Sequence, residues 1–139
     1  AKKTGKYYHN KKQWDKAVQY YEQALKNNSG DDVETNLFLF QAYIETKQFD
    51  VLEKKATAMV EIFPTLPQFY YFSGLAKNQL KQFKKAKEML EMGMDYLVDN
   101  EILEINFNIQ LGESFNGLGD LKKKEFYFSK ADQLLKNKK

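Results

Sequence analysis

The fold is decided by three short stretches of one kind, Lys12-Gln13-Trp14, Lys47-Gln48-Phe49 and Lys81-Gln82-Phe83. Their aromatic residues lie 35 and then 34 residues apart, and a fourth copy fits when Leu121 takes the aromatic position, 38 residues after Phe83. Self-similarity at a fixed period of this length is the signature of a repeat architecture. The sequence therefore predicts a single domain over 1–139, made of four units at about 1–31, 32–65, 66–99 and 100–139.

Apolar residues recur on both sides of each anchor with the period of an α-helix. Upstream of Phe83, the residues Phe69, Phe72, Ala76 and Leu80 follow steps of three and four positions. A second stripe follows the same anchor and consists of Ala86, Met89, Leu90, Gly93 and Leu97. Each unit is thus predicted to be a helical hairpin. Neither helix buries its apolar face alone, so we expect the hairpins to stack into an all-α solenoid.

Small and aromatic residues return at fixed places within the repeat. They are Gly5-x2-Tyr8 and Ala17-x3-Tyr21 in the first unit, Gly74 and Ala86 in the third, and Leu111-Gly112-x2-Phe115 and Phe128-x2-Ala131 in the fourth. The pattern resembles that of the tetratricopeptide repeat family, W-x2-L-G-x2-Y, then A-x3-F, then P. Ser29 stands where Pro is usual, and the second unit departs most, with Phe40 and Leu52 at small positions. The resemblance covers essentially the whole chain and implies a right-handed solenoid of stacked hairpins.

The composition argues against a catalytic or metal centre. The chain has no cysteine, so disulfides and thiolate zinc sites are excluded, and a single histidine, His9, is too little for a structural zinc site. We expect His9 to be a solvated residue at a helix end. The acidic runs Asp31-Asp32 and Asp99-Asn100-Glu101 lack calcium-loop spacing and are predicted to cap helices. We therefore expect no catalytic residue, no cofactor and no metal.

Nucleic acid and membrane partners are also disfavoured. All 22 basic residues are lysine, and the net charge is only +3. The run Lys122-Lys123-Lys124 and the tail residues Lys136, Lys138 and Lys139 are interpreted as a solvated basic face rather than a nucleic-acid site. No apolar stretch approaches the length of a bilayer span and no signal segment is visible, so we expect a soluble piece whose compartment stays open.

The resemblance implies a concave groove, lined by the first helix of every hairpin, that binds a peptide or a segment of another protein. Carried over position by position, the groove residues are Lys6, Leu37, Gln41, Ile44, Gln68, Tyr71, Leu75, Asn78, Asn106, Ile109 and Asn116. Their carboxamides could pair with a peptide backbone, and their apolar members could anchor it, with Tyr71 as the expected hot spot. The alternative left open here is that the apolar members are packed core, because the register could shift by one or two positions.

The last helix suggests a second function. An apolar stripe that no following repeat covers favours association, so the chain could form a homo-oligomer or a structural assembly. The residues expected to carry self-association are Phe126, Phe128, Leu134 and Leu135.

Overall fold

The computed structural model describes residues 1–27 and 30–137, so Ser29, Lys138 and Lys139 lie outside the described residues. The helices are α1 (Lys2–Asn10), α2 (Trp14–Asn27), α3 (Val33–Glu45), α4 (Phe49–Ile62), α5 (Pro67–Gln79), α6 (Phe83–Met94), α7 (Glu101–Gly117) and α8 (Leu121–Lys136). The described part of the chain contains no strand. The prediction of an all-α fold built from helical hairpins is confirmed.

The chain divides into two compact units. The first, Ala1–Leu52, contains α1, α2, α3 and the beginning of α4, and in it α2 packs against both α1 and α3. The second, Glu53–Lys139, contains the rest of α4 and the helices α5 to α8. In this unit α5 and α7 each pack against α6 and against each other, and α8 packs on α7. None of the helices within 1–27 and 30–137 is long and apolar enough to cross a membrane.

The repeated Lys-Gln-aromatic stretch is the turn of the hairpin. Lys12, Lys47 and Lys81 have left-handed φ angles of 59°, 58° and 63°, and Gly119 has 79° at the equivalent place in the fourth hairpin. In all four turns the next residue donates its backbone N–H to a carbonyl five residues earlier, over 2.8 to 2.9 Å. This Schellman closure satisfies carbonyls that the end of the first helix would leave free.

A large side chain of the second helix lies against a glycine of the first helix. A Cβ atom added at the glycine would come far closer than van der Waals contact to that side chain, so only a residue without a side chain permits the approach. The pairs are Gly5 with Tyr21, Gly74 with Leu90 and Gly112 with Phe128. The added Cβ atom would lie 2.6, 2.5 and 2.3 Å, respectively, from the nearest atom of the opposing side chain. The small positions of the repeat therefore mark the places where two helices meet.

The second hairpin exchanges the sizes at these positions. Phe40 occupies the place that glycine has elsewhere, and Ala56 occupies the place of Tyr21, Leu90 and Phe128. Phe40 and Ala56 both have 0% exposed surface. The departure at Phe40 is thus accompanied by a small residue at position 56.

A buried lysine ties α4 to α5 within the second unit. The Nζ atom of Lys77 donates to Glu53 Oε2 at 2.7 Å, to Thr57 Oγ1 at 2.9 Å and to Ser73 Oγ at 3.0 Å. Lys77 is only 6% exposed, so its ammonium depends on these three partners. The hydrogen bond from Lys77 holds the pKa of the Glu53 carboxyl below its usual value.

The left-handed turns give a matched pair of variants. We expect Lys47→Gly to stabilise the fold by about 0.5 to 1 kcal/mol, because the exposed lysine holds a backbone conformation that glycine adopts without strain. We expect Gly119→Ala to destabilise it by about 1 kcal/mol for the same reason, since nothing lies within 4 Å of an added Cβ there. Urea denaturation measures both values. A loss of stability in Lys47→Gly would contradict this account of the turn.

Removing the buried ammonium should cost more than removing a surface one. We expect Lys77→Met to lower the free energy of unfolding by about 2 to 3 kcal/mol, because the Glu53 carboxylate loses its ion-pair partner and two hydroxyls each lose one hydrogen bond. The exposed Lys84→Met is the control and should change it by less than about 0.5 kcal/mol.

This contribution should also depend on pH. Because the pKa of Glu53 is lowered in the folded state, its stabilisation is fully present above the unfolded value of about 4.3 and is lost as the pH falls through the folded value. Stability curves recorded down to acid pH should therefore converge for the wild type and Lys77→Met. Parallel curves would show that the pH dependence does not come from the pairing of Glu53 with Lys77.

Candidate functional site

In the second unit, α5 and α7 present several of the expected groove residues. Tyr71 is half-buried, and the centroid of its ring lies 5.9 Å from that of Phe107 on α7. Burial raises the pKa of the Tyr71 hydroxyl. Gln68, Asn106 and Ile109 are also half-buried, whereas Asn116 is exposed near the end of α7. Most of these side chains therefore combine a covered side with an accessible one.

Two expected groove residues are buried between the helices instead. Leu75 and Asn78 are each 7% exposed. Asn78 Nδ2 donates to the backbone carbonyl of Gln110 at 2.9 Å and to its side-chain oxygen at 3.0 Å, and the Ser114 hydroxyl donates to Asn78 Oδ1 at 2.8 Å. The amide of Asn78 is thus engaged in the contact between α5 and α7. For Leu75, the packing matches the core alternative that the sequence left open.

Gln68 carries a buried acceptor. Its Oε1 atom is shielded from solvent and has no hydrogen-bond partner among the described residues. A buried carbonyl without a donor costs about 1 to 3 kcal/mol relative to a satisfied one. Of the carboxamides that the sequence assigned to the groove, Gln68 therefore gains most from a donor supplied by a ligand.

In the first unit, charged side chains connect α1 and α3. Lys2 Nζ lies 3.2 Å from Asp32 Oδ2 and 2.7 Å from Glu34 Oε1, and Lys6 Nζ lies 3.8 Å from the same Glu34 atom. These hydrogen bonds raise the pKa of Lys2 and, through Lys2, lower that of Glu34. Lys6 also lies 5.1 Å from the ring centroid of Phe38. The positive charges of the two lysines on this face are therefore offset by the negative charges of Asp32 and Glu34.

The other expected groove residues of the first unit lie on α3. Leu37 and Ile44 are half-buried, and Gln41 is exposed. They add apolar and carboxamide groups beside the ion pairs.

The prediction of a solvated His9 is wrong. The imidazole packs edge-on against the rings of Trp14, Tyr21 and Phe38, with centroids 4.9, 5.9 and 5.4 Å away. Its Nδ1 atom is buried without a hydrogen-bond partner in 1–27 and 30–137, and burial lowers the pKa of the ring. The sequence could not reveal this position, because the aromatic rings that surround His9 come from two other helices, α2 and α3.

The described part of the chain holds no cluster of three metal-ligating side chains. The acidic runs instead lie at the N-terminal ends of helices. Asn100 caps α7, where its Oδ1 accepts the backbone N–H of Leu103 at 3.0 Å. Asp32 precedes α3, and its carboxylate accepts a hydrogen bond from the Thr35 hydroxyl. The capping role expected for these runs is realised directly by Asn100.

Helix α8 leaves part of its apolar surface exposed. Phe126 is 54% and Leu135 52% exposed, whereas Phe128 and Leu134 are half-buried. The ring of Phe128 packs against Gly112 of α7. Of the four residues expected to mediate self-association, Phe126 and Leu135 are therefore the accessible pair.

Comparisons with known proteins point to one repeat family. A tetratricopeptide repeat model matches residues 5–31 and 67–92. No curated protein sequence gives a significant match. Among solved structures, MamA from Desulfovibrio magneticus RS-1 is similar, with a TM-score of 0.80 at 23% identity, covering 96% of this chain and 73% of that one. A second MamA crystal structure gives 0.78 at 20% identity, covering 94% of this chain and 73% of that one.

The two matched segments begin at or next to the repeated landmarks of the hairpins. The first starts at Gly5, the glycine that lies against Tyr21, and the second starts at Pro67, the first residue of α5. Arrays of such repeats serve as protein-interaction scaffolds with extended binding surfaces. The chain therefore matches the tetratricopeptide repeat at 5–31 and 67–92, and its helical hairpins have a fold similar to that of MamA.

Proposed function

We propose that the chain is a non-catalytic module that binds a segment of another protein on the first helices of its hairpins. The observation that carries this proposal is that α5 and α7 pack together and leave four of the expected groove residues half-buried, Gln68 and Tyr71 on α5 and Asn106 and Ile109 on α7. Such a face combines apolar surface, whose burial makes the free energy of binding more favourable, with groups that can hydrogen-bond to a peptide backbone.

The apolar part of this face supplies affinity. A tyrosine that is partly covered by its own fold loses little side-chain freedom on binding, and tyrosine is enriched at interface hot spots. The contact of Tyr71 with Phe107 holds its ring in place before a ligand arrives. Ile109, two positions after Phe107 on α7, adds a half-buried aliphatic side chain.

The polar part of this face supplies orientation. An amide presents a donor and an acceptor together, so it can pair with the N–H and carbonyl of an extended chain whatever its sequence. The buried and unpartnered Gln68 Oε1 gains a donor if its side chain rotates to meet a backbone N–H of the ligand. Recognition of this type would position a chain and leave the choice of partner to the apolar contacts.

The test compares variants inside and outside the face. We expect peptides selected from a random library on the wild type to lose about tenfold in affinity for Asn106→Ala and for Tyr71→Ala, measured by fluorescence anisotropy. Tyr71→Ala also removes the packing on Phe107, so thermal melting must accompany it, and Asn106→Ala gives the answer where Tyr71→Ala unfolds. The control is Val98→Ala, at a 75% exposed residue outside α5 and α7. Equal losses in the control, or full affinity in Asn106→Ala, would refute the face.

A second candidate function is self-assembly through α8, which the exposed pair Phe126 and Leu135 favours. We expect Phe126→Glu and Leu135→Glu together to abolish a concentration-dependent increase in the sedimentation coefficient, because two charges cannot be buried in an apolar contact. The control is Val98→Glu, which changes a 75% exposed apolar residue outside α8. A wild-type chain that stays monomeric at high micromolar concentration would exclude this function.

A further inference from the structure

A small pocket lies between α1, α2 and α3 of the first unit. Its volume is about 230 Å³, and it is lined by Lys6, His9, Asn10, Tyr21 and Phe38. The sequence placed Tyr21 in the apolar stripe of α2 and gave no sign of a cavity beside it. The pocket is large enough for the end of one side chain.

Two polar atoms of the pocket residues lack partners. Tyr21 has 0% exposed surface, yet its hydroxyl has no hydrogen-bond partner among the residues that the structure describes. The buried Nδ1 atom of His9 has none among them either. Their rings are close, with centroids 5.9 Å apart. Native proteins satisfy the large majority of buried polar side-chain atoms, so two neighbouring exceptions in one pocket indicate groups available to a ligand.

The walls and the rim restrict the ligand. Phe38 lies nearly parallel to Tyr21, with ring centroids 6.0 Å apart at 12°, so one wall is apolar and flat. Lys6 is neutralised by Glu34, and Glu34 is itself held by Lys2. The rim therefore has little net charge and gives no strong preference for an anion or a cation.

The imidazole offers an acceptor to this pocket. Burial lowers the pKa of His9, so the ring is neutral at pH 7 and one of its nitrogens has a free lone pair. The phenol of Tyr21 is ready to donate, and burial raises its pKa to about 12, which keeps the proton on the oxygen. A ligand group that accepts a hydrogen bond from the Tyr21 hydroxyl and donates one to His9 Nδ1 satisfies both atoms.

We propose that the pocket binds the primary carboxamide of a glutamine or asparagine side chain carried by the partner segment. The amide N–H donates to His9 Nδ1, the amide carbonyl accepts from the Tyr21 hydroxyl, and Phe38 covers the flat face of the amide. This assignment rests on the proposed function, because the side chain belongs to the bound segment. A carboxylate has no proton to donate to the imidazole.

The test uses three small probes of the same shape. Propionamide carries the primary carboxamide, N-methylpropionamide represents a backbone amide, and propionate represents a carboxylate. Binding is followed on the imidazole nitrogens of His9 by long-range ¹H–¹⁵N NMR at about pH 7, where an imidazole with a lowered pKa is neutral. His9 is the single histidine of the chain, so its signals are unambiguous.

We expect propionamide to shift the His9 nitrogens in a saturable way and to bind about tenfold more tightly than propionate. Tyr21→Phe should weaken propionamide about fivefold, the effect of one neutral hydrogen bond, while leaving the helical fold intact. The matched control is Tyr20→Phe, on the same helix but outside the pocket lining.

Three results would overturn the assignment. They are equal binding of propionate, an unchanged affinity in Tyr21→Phe, and equal binding of N-methylpropionamide, which would assign the pocket to backbone rather than to a side chain. The probes need no partner protein. The probes can therefore fail to bind in the pocket while peptides still bind on α5 and α7. They can also bind in the pocket when no peptide binds on α5 and α7.

Discussion

Every hairpin of this protein depends on one backbone constraint, the left-handed residue that reverses the chain between its two helices. At Lys12, Lys47, Lys81 and Gly119 this residue allows the following N–H to return to the last turn of the first helix. The reversal takes so few residues that the two helices must lie side by side. That proximity is what makes a glycine on one helix necessary where a large side chain of the other arrives.

The sequence predicts this part of the fold well, because turn and crossing are local to each repeat. The period of the Lys-Gln-aromatic stretch gives the number of hairpins, and the glycines at 5, 74 and 112 give three of the crossings. The exchange of Phe40 and Ala56 is harder to anticipate. A large residue at a small position is noticeable by itself, but the small residue at the matching position comes sixteen residues later in the sequence.

The candidate site is predicted less completely, for a geometrical reason. Successive residues of a helix point about 100° apart, so one or two positions separate a side chain on an open face from one beneath the neighbouring helix. Tyr71 and Asn106 stay partly accessible, whereas Leu75 is buried and Asn78 is hydrogen-bonded to α7. His9 shows the same limit, since its surroundings come from Trp14, Tyr21 and Phe38 on two other helices.

The balanced charges on α1 and α3 also bear on how fast a partner arrives. Because Lys2 and Lys6 are neutralised by Asp32 and Glu34, this face projects little long-range field into solution. A partner that bound this face, as proposed, would arrive without electrostatic steering, at the ordinary rates of about 10⁵ to 10⁶ M⁻¹s⁻¹, and ionic strength would change these rates little. Discrimination between such partners would lie in how long each complex lasts, which the fit of its side chains decides.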